Sequence, residues 1–203
     1  MTPALAPALA GILALVAYLL TLSPSISWAN GVSDSGELAA AAYVLGVPHP
    51  TTYPLFMILG WAMSHLPLGE PAYNLNLFSA VCGALAAGFV AALAGACDRS
   101  RRPLCAACGC VAGGLFFAAV PSFWVQATGT ETRALAAALV AAVLLVLARH
   151  VQVKGRGVLH TPGRLLVLAW AIEGVALPLG AGDIAAEDEL RVAASLVRTF
   201  VER

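Results

Sequence analysis

The chain has 203 residues, of which 60% are hydrophobic and only 11% charged, and its mean hydropathy is +0.86. A soluble domain usually carries about 25% charged residues, so this chain has too little polar surface to cover a soluble fold. The formal net charge is zero, and no basic stripe indicates a nucleic-acid partner. We therefore predict an all-α, polytopic integral membrane protein.

Uncharged runs predict where the chain crosses the membrane. The first span is placed within residues 1–22, where Ala4–Leu22 has about the twenty residues that cross about 30 Å of hydrocarbon. Its length and the lack of a basic N-terminal region favour a retained span, although Ser27–Ala29 would suit a signal-peptide cleavage site. Three further spans are predicted within residues 72–148, at Tyr73–Ala96, Pro103–Val120 and Arg133–Ala148.

The C-terminal part departs from this pattern. Residues 149–163 form a basic loop, and residues 164–182 are a candidate fifth span. Glu173 and Pro178 interrupt that segment, so the sequence leaves open whether it crosses. Residues 183–203 alternate apolar and charged positions at helical spacing, which predicts an amphipathic tail.

Basic residues orient the predicted spans. No Lys or Arg precedes Arg99, and basic clusters at Asp98–Arg102 and Arg149–Gly157 follow the second and fourth spans. Because cytoplasmic loops are rich in Lys and Arg, both clusters and the N-terminus are predicted to be cytoplasmic. Two loops then face outward: residues 23–71, with short interfacial helices, and the loop Pro121–Glu131.

The first of these loops contains SDSGELAAAAYVLGVPHPTTYP, from Ser33 to Pro54. Asp34 followed by Glu37 fits a capping box that opens a helix, with Gly46 as its C′ residue. A cap alone would explain both acids. Acids near a membrane are costly, however, and a Ser or Asn would cap as well, so a functional role stays open. The apolar stretch after Pro54 is too short to span and predicts an interfacial or re-entrant helix.

Cysteines cluster in CAACGC, Cys105 to Cys110. No His or acid lies close by, and a zinc site usually takes four ligands from two separated pairs. The sequence therefore favours small apolar residues that pack between helices over a metal site.

These motifs resemble a known membrane family. Asp34-Ser-Gly-Glu37, the following Ala-Ala-Tyr-x-Leu-Gly-Val-Pro-His-Pro and Tyr53-Pro-Leu are similar to the N-terminal signature of the domain-of-unknown-function 2723 family. That bacterial family also contains the eukaryotic transmembrane O-mannosyltransferase that acts on IPT domains, and it belongs with the GT-C glycosyltransferases. The segment Asn74–Ser79 and Phe123-Trp124, followed by Glu131, match the family order as well.

The resemblance has limits. It covers about Thr21 to Ala148, and the family has Pro-Pro-Gly-Tyr-Pro where this chain has Pro50–Pro54. Family members continue through more spans. We therefore expect a truncated chain, whose C-terminal half is missing or supplied by a partner subunit.

The resemblance implies a GT-C-like helical bundle that transfers a sugar from a polyprenyl-phosphate carrier to an acceptor hydroxyl on the outer face. It implies that an acid of the first outer loop acts as general base or orients the acceptor, with Asp34 first and Glu37 second. A fixed carboxylate suits this role because the hydroxyl loses its proton as it attacks the anomeric carbon. The lipid-linked sugar donor is then a substrate, membrane lipid is a partner, no cofactor is certain, and a divalent metal stays open.

Four more residues are candidates for substrate binding. His49 can contact the carrier phosphate or serve a structural role. Tyr53 can be a platform on which the sugar packs or an anchor at the membrane interface. The anchor is favoured for Tyr53 and also for Trp61. Glu131 can pair with Arg133 or face the cavity. Arg133 is the only basic residue predicted near the outer face and suits a phosphate.

Two other functions are weighed against the glycosyltransferase. A non-catalytic membrane scaffold, or the remnant of such an enzyme, would keep the fold without the complete site. A small transporter ranks last because the acids lie outside the predicted core and no internal repeat is evident. The expected location is the bacterial inner (plasma) membrane, with a cytoplasmic N-terminus and the first long loop outside.

Overall fold

The computed structural model describes residues 5–26, 34–49, 53–97 and 103–152. These residues form helices and no strand, which confirms the all-α prediction. The helices are α1 (Leu5–Leu20), α2 (Ser35–Val44), α3 (Pro54–Ser64), α4 (Pro71–Cys97), α5 (Pro103–Ala118), α6 (Pro121–Thr128) and α7 (Thr132–Gln152). The candidate fifth span at 164–182 and the amphipathic tail at 183–203 lie outside the described residues.

Prolines mark where helices begin. The first residues of α3, α4, α5 and α6 are Pro54, Pro71, Pro103 and Pro121. Proline suits the first position of a helix, because an N–H there would have no partner within the helix and the fixed φ is already helical. The same residue cannot continue a preceding helix, so each proline also separates one element from the next.

Two helices are long and apolar enough to cross a membrane: Pro71–Ala96 and Thr132–Arg149. The pair α5 and α6 would make a third span only if counted together, and the two helices are bent by 73° at the break between them. Helix α1 has 16 residues, about 24 Å at 1.5 Å per residue, and is thus shorter than the predicted first span. The described residues therefore contain two candidate spans, or three with the bent pair.

The sequence prediction was wrong about the segment between the third and fourth spans. It placed an uninterrupted span up to Val120 and a loop at Pro121–Glu131, whereas the helix ends at Ala118 and a new helix, α6, begins at Pro121. Pro121 lacks the N–H that would extend α5, and it is well suited to start a helix in a new direction.

Helix α4 is the centre of the bundle and contacts α1, α3, α5, α6 and α7. Small residues let the helices approach closely. A Cβ added at Gly11 of α1 would lie 3.1 Å from the carbonyl oxygen of Ala84 in α4. One added at Gly114 of α5 would lie 2.7 Å from the carbonyl oxygen of Ala87. Close backbone packing through small residues is typical of helices that associate in membranes.

The cysteines of α4 and α5 take part in this packing to different degrees. Cys82 and Cys110 are buried, whereas Cys105 and Cys108 are exposed. A Cβ at Gly95 of α4 would lie 2.9 Å from the Cys110 sulfur, so that thiol fills the space between the two helices. Within the described residues, no group of three or more His, Cys, Asp or Glu side chains could hold a metal ion.

Helices α2 and α3 pack together on one end of the bundle. A Cβ at Gly60 of α3 would lie 3.2 Å from the Cβ of Ala42 in α2 and 3.1 Å from a methyl group of Leu75 in α4. The shared core comprises Leu38, Ala39, Ala42, Phe56, Met57, Leu75, Cys82, Ala134 and Leu135. This core holds the N-terminus of α2 beside the N-terminus of α7.

The C-terminus of α2 differs by one residue from the prediction. Leu45, and not Gly46, adopts the left-handed conformation, with φ of 51°. The N–H of Leu45 donates to the carbonyl of Ala42, and that of Gly46 donates to the carbonyl of Ala41. This is a Schellman arrangement in which Leu45 is the C′ residue and Gly46 follows it.

Candidate functional site

Two segments that are far apart in the sequence meet at one end of the bundle. They are the start of α2 and residues 129–131, which connect α6 to α7. Ser35 donates a hydrogen bond of 2.9 Å from Oγ to the main-chain oxygen of Thr130, and both residues are buried. The neighbours of these two residues, Asp34 and Glu131, are therefore brought within electrostatic range of each other.

Helix α4 fixes the connection between α6 and α7 through buried polar side chains. Thr130 donates from Oγ1 to the Asn76 side-chain oxygen at 2.7 Å, and the Asn76 amide nitrogen donates to the main-chain oxygen of Ser23 at 2.8 Å. The N–H of Glu131 donates to Ser79 Oγ at 3.3 Å. Asn76 and Ser79 belong to the Asn74–Ser79 motif that carried part of the family resemblance, but no role was predicted for them.

Glu131 is the buried acid of the site, with an exposed fraction of 7%. Burial raises the pKa of its carboxyl above the ordinary value of 4.5. The Arg133 guanidinium opposes this shift, the Asp34 carboxylate adds to it, and His49 lowers the pKa. Glu131 therefore keeps its proton to a higher pH than an exposed glutamate does.

Gln126 of α6 joins Glu131 to Arg133. In the amide orientation that satisfies both neighbours, the Gln126 nitrogen donates to Glu131 Oε2 at 3.2 Å and its oxygen accepts from Arg133 Nη1 at 3.0 Å. The sequence predicted that Glu131 can pair with Arg133, and here the Gln126 side-chain amide links the two residues through a hydrogen bond to each. Gln126 was missed because its segment was predicted as a loop. A helix begun by Pro121 would have placed it in the last turn before the site.

Glu37 binds His49 at the edge of the site. The main-chain N–H of His49 donates to Glu37 Oε1 at 2.7 Å, and His49 Nδ1 lies 3.1 Å from Oε2. The Glu37 side chain is 49% exposed and that of His49 is 36% exposed, so the contact between the two side chains contributes only about 0–1 kcal/mol. The two contacts nevertheless hold the turn that follows α2 against the first turn of that helix.

The predicted capping box is therefore absent from α2. Asp34 is the N-cap residue, but its side chain makes no capping hydrogen bond. Glu37, which would complete the box, is engaged with His49 instead. A side-chain helix cap therefore does not account for the two acids, and a functional role for them stays a prediction.

Tyr53 lies next to His49 in an unusual backbone conformation. It is the N-cap residue of α3, with φ of 42° and ψ of 58°, a left-handed conformation that costs non-glycine residues free energy. Its ring is edge-on to the His49 ring, with centroids 6.0 Å apart. Trp61, in contrast, lies on the exposed face of α3, where its ring packs on His65 at 5.0 Å.

The structure thus brings the six predicted site residues into one neighbourhood, here called the acidic site. Glu131 is within electrostatic range of Asp34, His49 and Arg133. Glu37 binds His49, and Tyr53 contacts it. The acidic site combines carboxyl groups that can accept a proton with a guanidinium that can bind an anion.

Residues 34–180 match the family model described as the Protein O-mannosyl-transferase TMEM260 N-terminal domain. The chain belongs to this family. The TMEM260 match begins at Asp34, the first residue of the acidic site, and it continues past Ala148, where the sequence resemblance ends. Together with the candidate spans, it identifies the chain as a membrane protein of the TMEM260 N-terminal family.

Two curated relatives carry the same family name. The chain is 42% identical over 80 residues to Protein O-mannosyl-transferase TMEM260 of Mus musculus, covering 39% of this chain and 11% of the mouse protein. It is 35% identical over 78 residues to Protein O-mannosyl-transferase tmem260 of Dictyostelium discoideum, covering 37% and 9%. The match therefore spans about a tenth of the length of these TMEM260 relatives. No solved structure is significantly similar to the chain.

Proposed function

We propose that the chain contributes part of the active site of a GT-C-type membrane glycosyltransferase that moves a sugar from a polyprenyl-phosphate carrier to an acceptor hydroxyl. The observation that carries this proposal is the convergence of Asp34, Glu131 and Arg133 at one end of the bundle. The names of the mouse and Dictyostelium relatives support a glycosyl-transfer function.

Asp34 is assigned the role of general base, which accepts the proton of the acceptor hydroxyl. Its side chain is only partly buried, whereas Glu131 is 7% exposed, so an acceptor hydroxyl reaches Asp34 more readily. As the hydroxyl oxygen bonds to the anomeric carbon, the bond from that carbon to the carrier phosphate breaks and the hydroxyl proton passes to the carboxylate. The buried Glu131, with its raised pKa, acts beside it as a hydrogen-bond donor to the sugar or the acceptor.

Arg133 is assigned the role of binding the phosphate group of the carrier. It is exposed at the N-terminus of α7, where Gln126 orients one of its guanidinium nitrogens. Guanidinium groups bind phosphate oxygens through two parallel hydrogen bonds. His49 is the second phosphate ligand, because Glu37 holds its Nδ1 and leaves Nε2 for an oxygen. The Tyr53 ring, beside His49, would then border the sugar.

The same proposal orients the protein in the membrane. The acidic site would face the outside of a bacterial inner membrane, and the basic clusters at Asp98–Arg102 and Arg149–Gly157 would face the cytoplasm with the N-terminus. The chain would then belong to the bacterial domain-of-unknown-function 2723 branch of the family. The rest of the enzyme would come from a further C-terminal half or a partner subunit.

The test is sugar transfer by the purified chain, together with the C-terminal half or partner subunit that completes the enzyme, in lipid nanodiscs supplied with a polyprenyl-phosphate mannose and a hydroxyl acceptor. Release of polyprenyl phosphate is expected, and Arg133→Gln is expected to raise KM for the donor with less effect on kcat. The matched control is Arg149→Gln at the other end of α7. A folded protein that turns over no donor would contradict the proposal and favour the non-catalytic scaffold.

A further inference from the structure

An apolar groove lies on the opposite end of the bundle from the acidic site. It runs along α4 between α1 and α7 and encloses a volume of about 520 Å³, within the range of about 300–1,000 Å³ that is usual for small-molecule sites. The side chains along it include Ala8, Ile12, Leu85, Ala92, Leu145 and Arg149. Among the described residues of this lining, Arg149 is the only one that is charged.

The groove has the length of one membrane leaflet. On α4 it extends from Val81 to Ala92, about 16 Å along a helix that rises 1.5 Å per residue. The hydrocarbon core of a bilayer is about 30 Å thick, so one leaflet contributes about half of it. A membrane-spanning helix would run the full thickness, whereas a single lipid tail would end where the groove ends.

In the part of the groove that described residues line, charge is confined to one end. Arg149 lies one helical turn beyond Leu145 on α7, and the exposed Ile12 and Leu85 continue the apolar wall. An elongated apolar channel with one terminal cation is complementary to a molecule that has an apolar tail and an anionic head. Arginine is especially suited to a phosphate, to which it donates two parallel hydrogen bonds.

We propose that the groove binds one acyl chain of an anionic phospholipid, whose phosphate is held by Arg149. The lipid comes from the leaflet at the Arg149 end of the bundle, whereas the carrier proposed above binds at the acidic site. The two ligands are therefore independent, and the lipid fills the space between α1 and α7 as a structural component of the bundle.

The experiment uses the full chain in nanodiscs that contain phosphatidylglycerol with a photoactivatable diazirine in its tail. After irradiation, mass spectrometry locates the label. We expect labelling in the peptides that contain residues 7–15 and 81–92, and we expect unlabelled phosphatidylglycerol to compete for it better than phosphatidylcholine does.

Two substitutions test the two parts of the groove. Arg149→Gln should reduce the labelling about fivefold, the effect of removing one basic residue beside an anionic membrane surface. Its control is Lys154→Gln, which removes another basic residue five positions further along the sequence. Ala8→Phe should block the groove and abolish the labelling, while Ala112→Phe, on an exposed position of α5, should leave it unchanged. Circular dichroism of each variant verifies that it is folded.

Three results would overturn the proposal. One is labelling spread evenly over all exposed apolar helix faces, which is expected of bulk lipid. A second is equal competition by phosphatidylcholine. The third is chemical cross-linking of the groove to residues 153–203 or to a second copy of the chain, which would show that protein fills it. None of these results would bear on sugar transfer at the acidic site.

Discussion

Ser35 Oγ donates a 2.9 Å hydrogen bond to the main-chain oxygen of Thr130, and this bond joins the two halves of the acidic site. Both residues are buried. The residue before Ser35 and the residue after Thr130 are the two acids, Asp34 and Glu131, which interact electrostatically. The relative position of the acids is therefore set by a bond between their neighbours.

Replacement of Ser35 is expected to loosen the site. Ser35→Ala leaves a buried carbonyl without its donor, which should lower the free energy of unfolding by about 1–3 kcal/mol. It should also reduce sugar transfer, because Asp34 is no longer fixed relative to Glu131. Thermal unfolding and donor turnover measure the two effects. Ser122→Ala, at an exposed position of α6, is the control, and equal behaviour of the two variants would refute the role of this bond.

The raised pKa of Glu131 predicts a pH dependence of stability. A carboxyl whose pKa is higher in the folded state favours folding below its unfolded value, and this contribution is lost as pH rises through the folded pKa. Wild-type stability should therefore decrease as pH rises above about 4.5, the ordinary value. Glu131→Gln removes this dependence, so the Tm of the variant minus that of wild type should increase over this pH range. A difference in Tm that is the same at every pH would contradict the assignment.

Glu37 and Asp34 are expected to differ in their effects. Glu37→Gln weakens a partly exposed contact with His49, so it should cost at most about 1 kcal/mol of stability. It should lower kcat only slightly, because Glu37 accepts no proton in the proposed reaction. Steady-state kinetics of the two single variants measures which loses more kcat. A larger loss of kcat in Glu37→Gln than in Asp34→Asn would indicate that Glu37, and not Asp34, is the general base.

The left-handed conformation of Tyr53 predicts an unusual ranking of substitutions. Both Tyr53→Ala and Tyr53→Gly lose the ring that contacts His49, but only glycine adopts φ of 42° without strain. Tyr53→Gly should therefore be more stable than Tyr53→Ala by about 1 kcal/mol. Chemical unfolding of the two variants in detergent measures the difference, and a more stable alanine variant would show that the conformation is not retained.

Close packing between α4 and α5 gives a test of the bundle itself. Gly114→Ala would place a Cβ 2.7 Å from a main-chain oxygen, so it should destabilise the protein by about 1–3 kcal/mol. Gly109 lies on the same helix, and a Cβ added there meets no atom within 4 Å. Gly109→Ala should therefore raise the stability of the helix by about 0.5–1 kcal/mol. Opposite shifts in Tm are expected, and shifts of the same sign would mean that α5 does not pack as described.

The elements predicted from the sequence are those whose signal is local. Apolar length predicted α4 and α7, and the apolar stretch after Pro54 predicted the short helix α3. The break at Pro121 was missed because hydropathy alone cannot distinguish a straight span from a bent one. The capping-box pattern of Asp34 and Glu37 was also misleading, since the same carboxylate can bind either the helix start or the more distant His49.

Asp34 and Glu37 became candidates through their position in the first outer loop and the family resemblance, and Arg133 through the predicted sidedness. The arrangement of these residues came only from the fold. Ser35, Asn76 and Gln126 position the acidic site through contacts with residues that are distant in the sequence. Serine, asparagine and glutamine carry no local pattern that announces such contacts. Their roles follow from which helices pack together, and a single sequence does not specify that.

The most direct test of the account is the rate of sugar transfer from polyprenyl-phosphate mannose by Asp34→Asn, compared with the wild type and with Glu70→Gln. Glu70 is an exposed acid just before α4 and outside the acidic site. Loss of a general base should slow transfer by about 10²–10⁴-fold. We expect that loss in Asp34→Asn and a wild-type rate in Glu70→Gln, whereas transfer by Asp34→Asn at the wild-type rate would contradict the proposed mechanism.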